Sequence, residues 1–206
     1  MLKTHFNQIL DETIKFSSAI SPQRKEEIYA YVFKLAKADH RKKQRVLINE
    51  GNIADSIYLL LSGTCKFYYY SKIHNQELIP FLMVSPCLLA EGRSMYKNLP
   101  ARFSIEVFEP CVVYRLSKEA ITAITEKYPE VEPGIRQMVK QQSHDFKAWK
   151  KGLWKVPPEE RYKKLRDTDL ELIQRMKKKD IAAHLGIKDP SFSRLLRRLG
   201  DKLCFL

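Results

Sequence analysis

Acidic residues are the scarce class in this sequence: 24 Asp and Glu stand against 37 Lys and Arg, a formal net charge of +13 over 206 residues. Such an excess disfavours cationic partners and favours phosphate-bearing ones. Cysteine is scarce too. Cys65, Cys87, Cys111 and Cys204 share no short interval, so neither a zinc site nor a disulfide framework is expected. His5, His40, His74, His144 and His184 are far apart, and only His74 falls within the predicted strands, which argues against a metal enzyme. No nucleophile–base pair or phosphate loop occurs at a usable spacing, so no enzyme and no cofactor are expected. Long apolar runs are missing as well, so neither a membrane span nor a signal peptide is expected, and the protein is read as cytoplasmic with no membrane partner.

The positive charge that is present is unevenly spread. Residues 147–206 hold 17 Lys/Arg against 8 Asp/Glu, whereas residues 1–146 hold 20 against 16. Within the basic quarter, Lys178 to Leu199 carries a patterned stretch. Ile181, Ala182 and Leu185 fall on one helical face, and Gly186 follows where the chain must turn with φ > 0. Asp189 is a candidate N-cap and Pro190 suits a first helical position. Phe192, Leu195, Leu196 and Leu199 would form the buried stripe of the second helix, leaving Ser193, Arg194 and Arg197 outside. Two short helices with a small Ala at their contact make a helix-turn-helix whose second helix can enter a DNA major groove.

Upstream, residues 4–16 and 22–38 have helical spacing, and Ser21-Pro22 is a start signal. From Arg45 to Leu116 the texture becomes β-branched and aromatic. Runs at 46–48, 56–61, 64–70, 77–84, 103–108 and 112–116 are separated by turn residues, which predicts an antiparallel roll or sandwich. A short helix follows over 117–128. Then Ile135, Val139, Gln142, Phe146, Trp149 and Leu153 recur at intervals of four and three, the spacing of a coiled-coil seam. The same face could instead pack on the roll. Pro157-Pro158 ends that helix and marks a domain boundary, and short helices over 159–166 and 170–176 lead into the reader.

The Ala, Gly and branched-apolar offsets of the reader, with Glu50-Gly51 and Tyr58-Leu59-Leu60-Leu61-Ser62-Gly63 upstream, resemble the Crp/Fnr-type transcription regulators. The resemblance implies an α+β chain in three parts. Residues 1–128 would be a sensor domain, a cyclic-nucleotide-binding-like jelly roll with flanking helices. Residues 129–156 would be a long dimerisation helix, and 157–206 an all-helical reader with no room for a β-hairpin wing. No Cys precedes residue 65, so the iron–sulfur branch of the family is set aside.

In relatives that bind cyclic AMP, a Glu holds the ribose and an Arg pairs the phosphate. The matching segment here offers Glu91, Gly92, Arg93, Ser94, Arg102 and Ser104. Gly follows Glu91 instead of preceding it, and one extra residue separates Arg102 from it. That slip is expected to turn Arg102 outward, so cyclic AMP is not the expected effector, and the effector stays unidentified. The resemblance further implies a homodimer on a near-palindromic operator in duplex DNA, with RNA polymerase as a candidate partner. Arg194 would read a base edge, with Lys188, Ser191, Ser193 and Arg197 sharing base and phosphate contacts. Lys177, Lys178 and Lys179 would track the backbone. The rival reading is a ligand-binding or scaffolding module whose helical tail contacts protein.

Overall fold

The computed structural model describes residues 2–14, 20–41, 45–108 and 110–201. Cys204 and the chain end at 202–206 lie outside them. Two helices, α1 (Leu2–Ile14) and α2 (Pro22–Leu35), precede the strands. Ser21 Oγ accepts from the Arg24 N–H and caps α2, as its Ser-Pro start suggests. The helix expected to reach residue 38 stops three residues earlier. Lys37–Arg41 leaves it to form β1, which pairs with Cys111–Ser117.

The strands are β1 (Lys37–Arg41), β2 (Arg45–Ile48), β3 (Ser56–Ser62), β4 (Thr64–Ser71), β5 (Gln76–Val84), β6 (Cys87–Leu89), β7 (Ser104–Val107) and β8 (Cys111–Ser117). They form two four-stranded antiparallel sheets, ordered β1-β8-β3-β6 and β2-β7-β4-β5. The six expected runs are all strands; β1 and β6 are additional. Between β6 and β7 lies α3 (Gly92–Lys97), and β8 leads into α4 (Lys118–Lys127), capped by Ser117. A 3-10 turn at Pro129–Val131 then opens α5 (Glu132–Lys155).

Three apolar clusters hold this arrangement. The first lies where α1, α2, α4 and the start of α5 cover one sheet, with Phe6, Ile28, Leu59 and Ile135 inside. The second fills the space between the sheets around Phe67, Phe103 and Ile105. Cys65, Cys87 and Cys111, dispersed in the sequence, are all buried in this layer. Burial and contact with Cys87 push the Cys65 thiol well above its ordinary pKa, which keeps it protonated and inert.

The third cluster belongs to the C-terminal helices α6 (Pro158–Thr168), α7 (Leu170–Arg175), α8 (Lys178–His184) and α9 (Asp189–Leu199). Tyr162, Ile173, Ile181 and Phe192 are fully buried there. The expected boundary at Pro157-Pro158 coincides with the end of α5, but the core does not respect it. Leu82 and Val84 of β5, and Phe108, pack against the same cluster.

Candidate nucleic-acid interface and effector pocket

The reader is built from α8, a tight turn, and α9. Gly186 has φ +66°, and a Cβ there would come within 2.8 Å of the Leu153 side chain. Both conformation and space therefore select glycine. Lys188, rather than Asp189, occupies the N-cap position; Asp189 is the first helical residue and Pro190 follows it. Phe192, Leu195 and Leu196 are buried, Leu199 is partly so, and Arg194 and Arg197 are exposed on the opposite face.

Most of the expected reading residues lie together on this outer surface. Lys179, Lys188, Arg194 and Arg197 are exposed, and Arg194 Nη2 donates to Ser191 Oγ at 3.2 Å. Lys178 and Ser193 are more constrained than expected. Lys178 Nζ donates to Ser193 Oγ at 2.5 Å, and that hydroxyl donates back to the Asp189 carbonyl at 3.0 Å. Lys177 is partly buried at the N-cap of α8. Arg198 is held by Glu159 at 2.6 Å.

Behind this face the reader is fastened to the roll and α5 by residues for which the sequence suggested no such role. Asp180, 3% exposed, meets Lys66 Nζ at 3.0 Å, and Lys66 is also 3.1 Å from Glu77 and 3.6 Å from Glu106. Burial pulls the Lys66 pKa down, but the carboxylates, Asp180 foremost, outweigh it and raise the value overall. His184 Nδ1 donates to the Ile79 carbonyl of β5 at 2.8 Å, and Trp149 Nε1 donates to the His184 carbonyl at 3.0 Å. Arg161 donates to the last carbonyls of α5, at 3.3 Å for Gly152 and 3.0 Å for Leu153, and to Val156 and Leu185. It thereby neutralises the helix C-terminus and joins it to the reader's turn.

Desolvation, aided by nearby Arg161, lowers the His184 pKa against the opposing Ile79 hydrogen bond, so the docked joint favours the neutral ring. The joint should be intact above about pH 6.5 and weaken as acid protonates the released imidazole. A plot of Trp149 emission against pH, in a Trp154→Phe background, should show this loosening. His184→Asn should flatten the profile.

Glu91 is fully buried and caps α3: its Oε2 accepts from the Ser94 N–H at 2.6 Å. The extra residue does not turn Arg102 outward. Its Nε donates to Glu91 Oε1 at 2.7 Å, and its guanidinium lies 5.1 Å from the Phe103 ring and 5.7 Å from that of Phe146. The strand begins only at Ser104, so Arg102 sits in the preceding bend, where strand alternation does not apply. Ser94 Oγ accepts from the Ala54 N–H at 2.8 Å and Ser104 Oγ from the Glu50 N–H at 2.9 Å; both serve the fold. Arg93 is partly buried. Gly92 lets α5 pass: a Cβ there would stand 2.3 Å from Val139 Cγ2.

The face of α5 expected to meet a second copy also packs within the chain, where Ile135 is buried and Val139, Gln142, Phe146, Trp149 and Leu153 are half-buried. Ile135 joins the first cluster, and Gln142 Nε2 donates to the Ala90 carbonyl at 2.6 Å. Phe146 packs 4.9 Å from Phe103 and 6.1 Å from Tyr69. Trp149 binds His184, and Leu153 abuts Gly186. Within the chain this face rests on the roll and on the C-terminal helices.

Two sheets closed into a roll, a buried Glu–Arg pair beside a short helix, a long helix and a helix-turn-helix make up the described chain. Residues 39–128 match the cyclic nucleotide-binding domain family. That match spans fewer than half of the residues, and the fold as a whole is like that of solved Crp/Fnr-type structures. It is similar to CLP, the c-di-GMP-responsive global regulator of Xanthomonas campestris, at TM-score 0.70 and 14% identity, covering 85% of this chain and 91% of that one. It is also similar to FixK2 of Bradyrhizobium japonicum, at TM-score 0.68 and 16% identity over 80% of this chain and 84% of that one. A Crp/Fnr-family protein of Eubacterium rectale matches at TM-score 0.68 and 16% identity, covering 87% of each chain. No protein of curated function matches the sequence. Among the described residues, no group of His, Cys, Asp and Glu could hold a metal ion, and no helix is long and apolar enough to cross a membrane.

Proposed function

We propose that the chain is a sequence-specific, homodimeric DNA-binding transcription regulator acting in the cytoplasm, with a sensor roll that governs its reader. The observation carrying this is the outer face of α9, where Arg194 and Arg197 stand exposed beside Lys188 and Lys179 on a helix-turn-helix whose apolar side is fully used. An exposed guanidinium at mid-helix can reach guanine O6 and N7 bidentately, while the lysines neutralise phosphates. Arg194→Ala should lose about 1–3 kcal/mol on the specific site and relax preference at one base pair. Selection of bound fragments from a random DNA pool, repeated with the variant, tests this. Equal losses on specific and random DNA would reduce Arg194 to a phosphate contact.

Self-association through α5 is proposed to use the stripe that the fold leaves open. Met138, Gln141, Asp145, Ala148 and Gly152 repeat at intervals of three and four, and Gln141, Asp145 and Ala148 are exposed. Ala148→Glu should sediment as a monomer and lose tight binding to a two-fold operator. A dimer that survives places the interface elsewhere.

Cyclic AMP is not proposed as the effector. Its phosphate would have to take Arg102 from a carboxylate that is already buried and bonded. Calorimetric titration with cyclic AMP is expected to show no micromolar site.

A further inference from the structure

We propose that a cavity of about 290 Å³ between α1, α5 and the roll is the ligand site of this sensor. It would take a small uncharged, mainly apolar molecule bearing a hydroxyl or N–H donor, and the β4–β5 ribbon would relay its presence to the reader. The proposal rests on the reading of the chain as a regulator and names the chemistry to which that regulator responds.

The cavity is lined on the roll side by Phe67, Phe81, Met83 and Cys87, and Gln141 and Asp145 stand on its α5 side. Its volume exceeds the roughly 150 Å³ that suffices to hold a benzene ring in an apolar protein interior. No Lys or Arg lines it, so a phosphate entering it would lack a counter-charge, and Glu12 on the α1 side and Asp145 on the α5 side would repel it. Gln141 Nε2 gives one of its two N–H groups to Asp145 Oδ1 at 2.8 Å, and the Glu12 and Asp145 carboxylates leave oxygen acceptors on the lining. A ligand that brings its own donor fits this polarity. The Glu91–Arg102 pair takes no part in the lining.

The relay follows from strand alternation. Phe67 pairs with Phe81, and Lys66 with Leu82, in the antiparallel register of β4 and β5. Phe67, Phe81 and Met83 face the cavity. Lys66, Leu82 and Val84, one residue away along the same strands, face the reader, where Lys66 meets Asp180 and the two apolar residues join its core. One sheet thickness separates the ligand wall from the floor on which α8 rests. A ligand displacing Phe81 or Met83 must therefore move the surface that orients the reader, because close-packed side chains transmit such shifts.

Naphthol is a suitable probe and naphthyl phosphate its charged control. The chain holds two tryptophans, so Trp154→Phe leaves Trp149, which bonds α8, as the only reporter. Calorimetry should show naphthol binding at one saturable site, and Trp149 emission should shift over the same concentration range. Naphthyl phosphate should bind at least about tenfold more weakly, as should naphthol in the Met83→Phe variant, whose larger ring intrudes on the cavity. No saturable naphthol binding, equal binding of the phosphate, or indifference to Met83→Phe overturns the site. Met138, Gln141 and Asp145 belong both to the cavity and to the stripe proposed for self-association, so naphthol should bind the Ala148→Glu variant as it binds the parent; loss of binding there overturns a site built within one chain. Binding without any change at Trp149 overturns the relay. None of these measurements involves DNA, so they fail or succeed independently of the Arg194 test.

Discussion

Lys66→Ala should be among the most damaging single substitutions in the chain, costing about 3–5 kcal/mol in chemical denaturation. The reason lies in what it leaves behind. Asp180 is 4% exposed at its side chain and would remain buried without its cation. Asp180→Ala should be milder, because Lys66 keeps Glu77 at 3.1 Å. Lys66→Met combined with Asp180→Leu should recover most of the loss, since an apolar pair of similar volume escapes the desolvation cost of two charges. Such a double variant would separate stability from orientation. If it folds as firmly as the parent but binds the operator more weakly, the ion pair sets the angle of the reader rather than merely its attachment. A single variant as stable as the parent would show that the carboxylates are hydrated when Lys66 is gone.

The local grammar of the chain was readable because it depends on neighbours in sequence. Ser21-Pro22 and Ser117 capped helices as their side chains require, Gly186 took the left-handed turn, and the six apolar runs became strands. What escaped were decisions made across the fold. Lys37–Arg41 has weak strand character and pairs only because β8 offers it an edge. The α5 stripe had the right spacing, yet periodicity reports that a face is buried and says nothing of what buries it. One signal for the docked reader was present and unused. Leu78 to Val84 is continuously apolar rather than alternating, which marks a strand covered on both faces. Its Pro80 marks a sheet edge, where β5 in fact lies. Asp180 carried no comparable signal, because an acid in the first turn of a helix is ordinarily a solvated partner of the macrodipole.

Glu91→Gln should expose how the charge of Arg102 is held beside α3. The amide oxygen can still cap Ser94, so α3 should persist, but Arg102 would lose its carboxylate partner while its side chain stays 20% exposed. The expected loss is about 3 kcal/mol, the low end for a broken buried pair, because the guanidinium keeps partial contact with water and with the Phe103 and Phe146 rings. Arg102 Nη2 already lacks a hydrogen-bond partner and is buried, so the variant leaves two donor positions of the fork unsatisfied. An anion that reaches them should restore stability. Sulfate should therefore raise the melting temperature of Glu91→Gln more than that of the parent, and Glu91→Gln combined with Arg102→Leu should abolish the difference. A parent-like sulfate response in Glu91→Gln would mean that Arg102 has swung to solvent and that the phosphate position is closed even without its carboxylate.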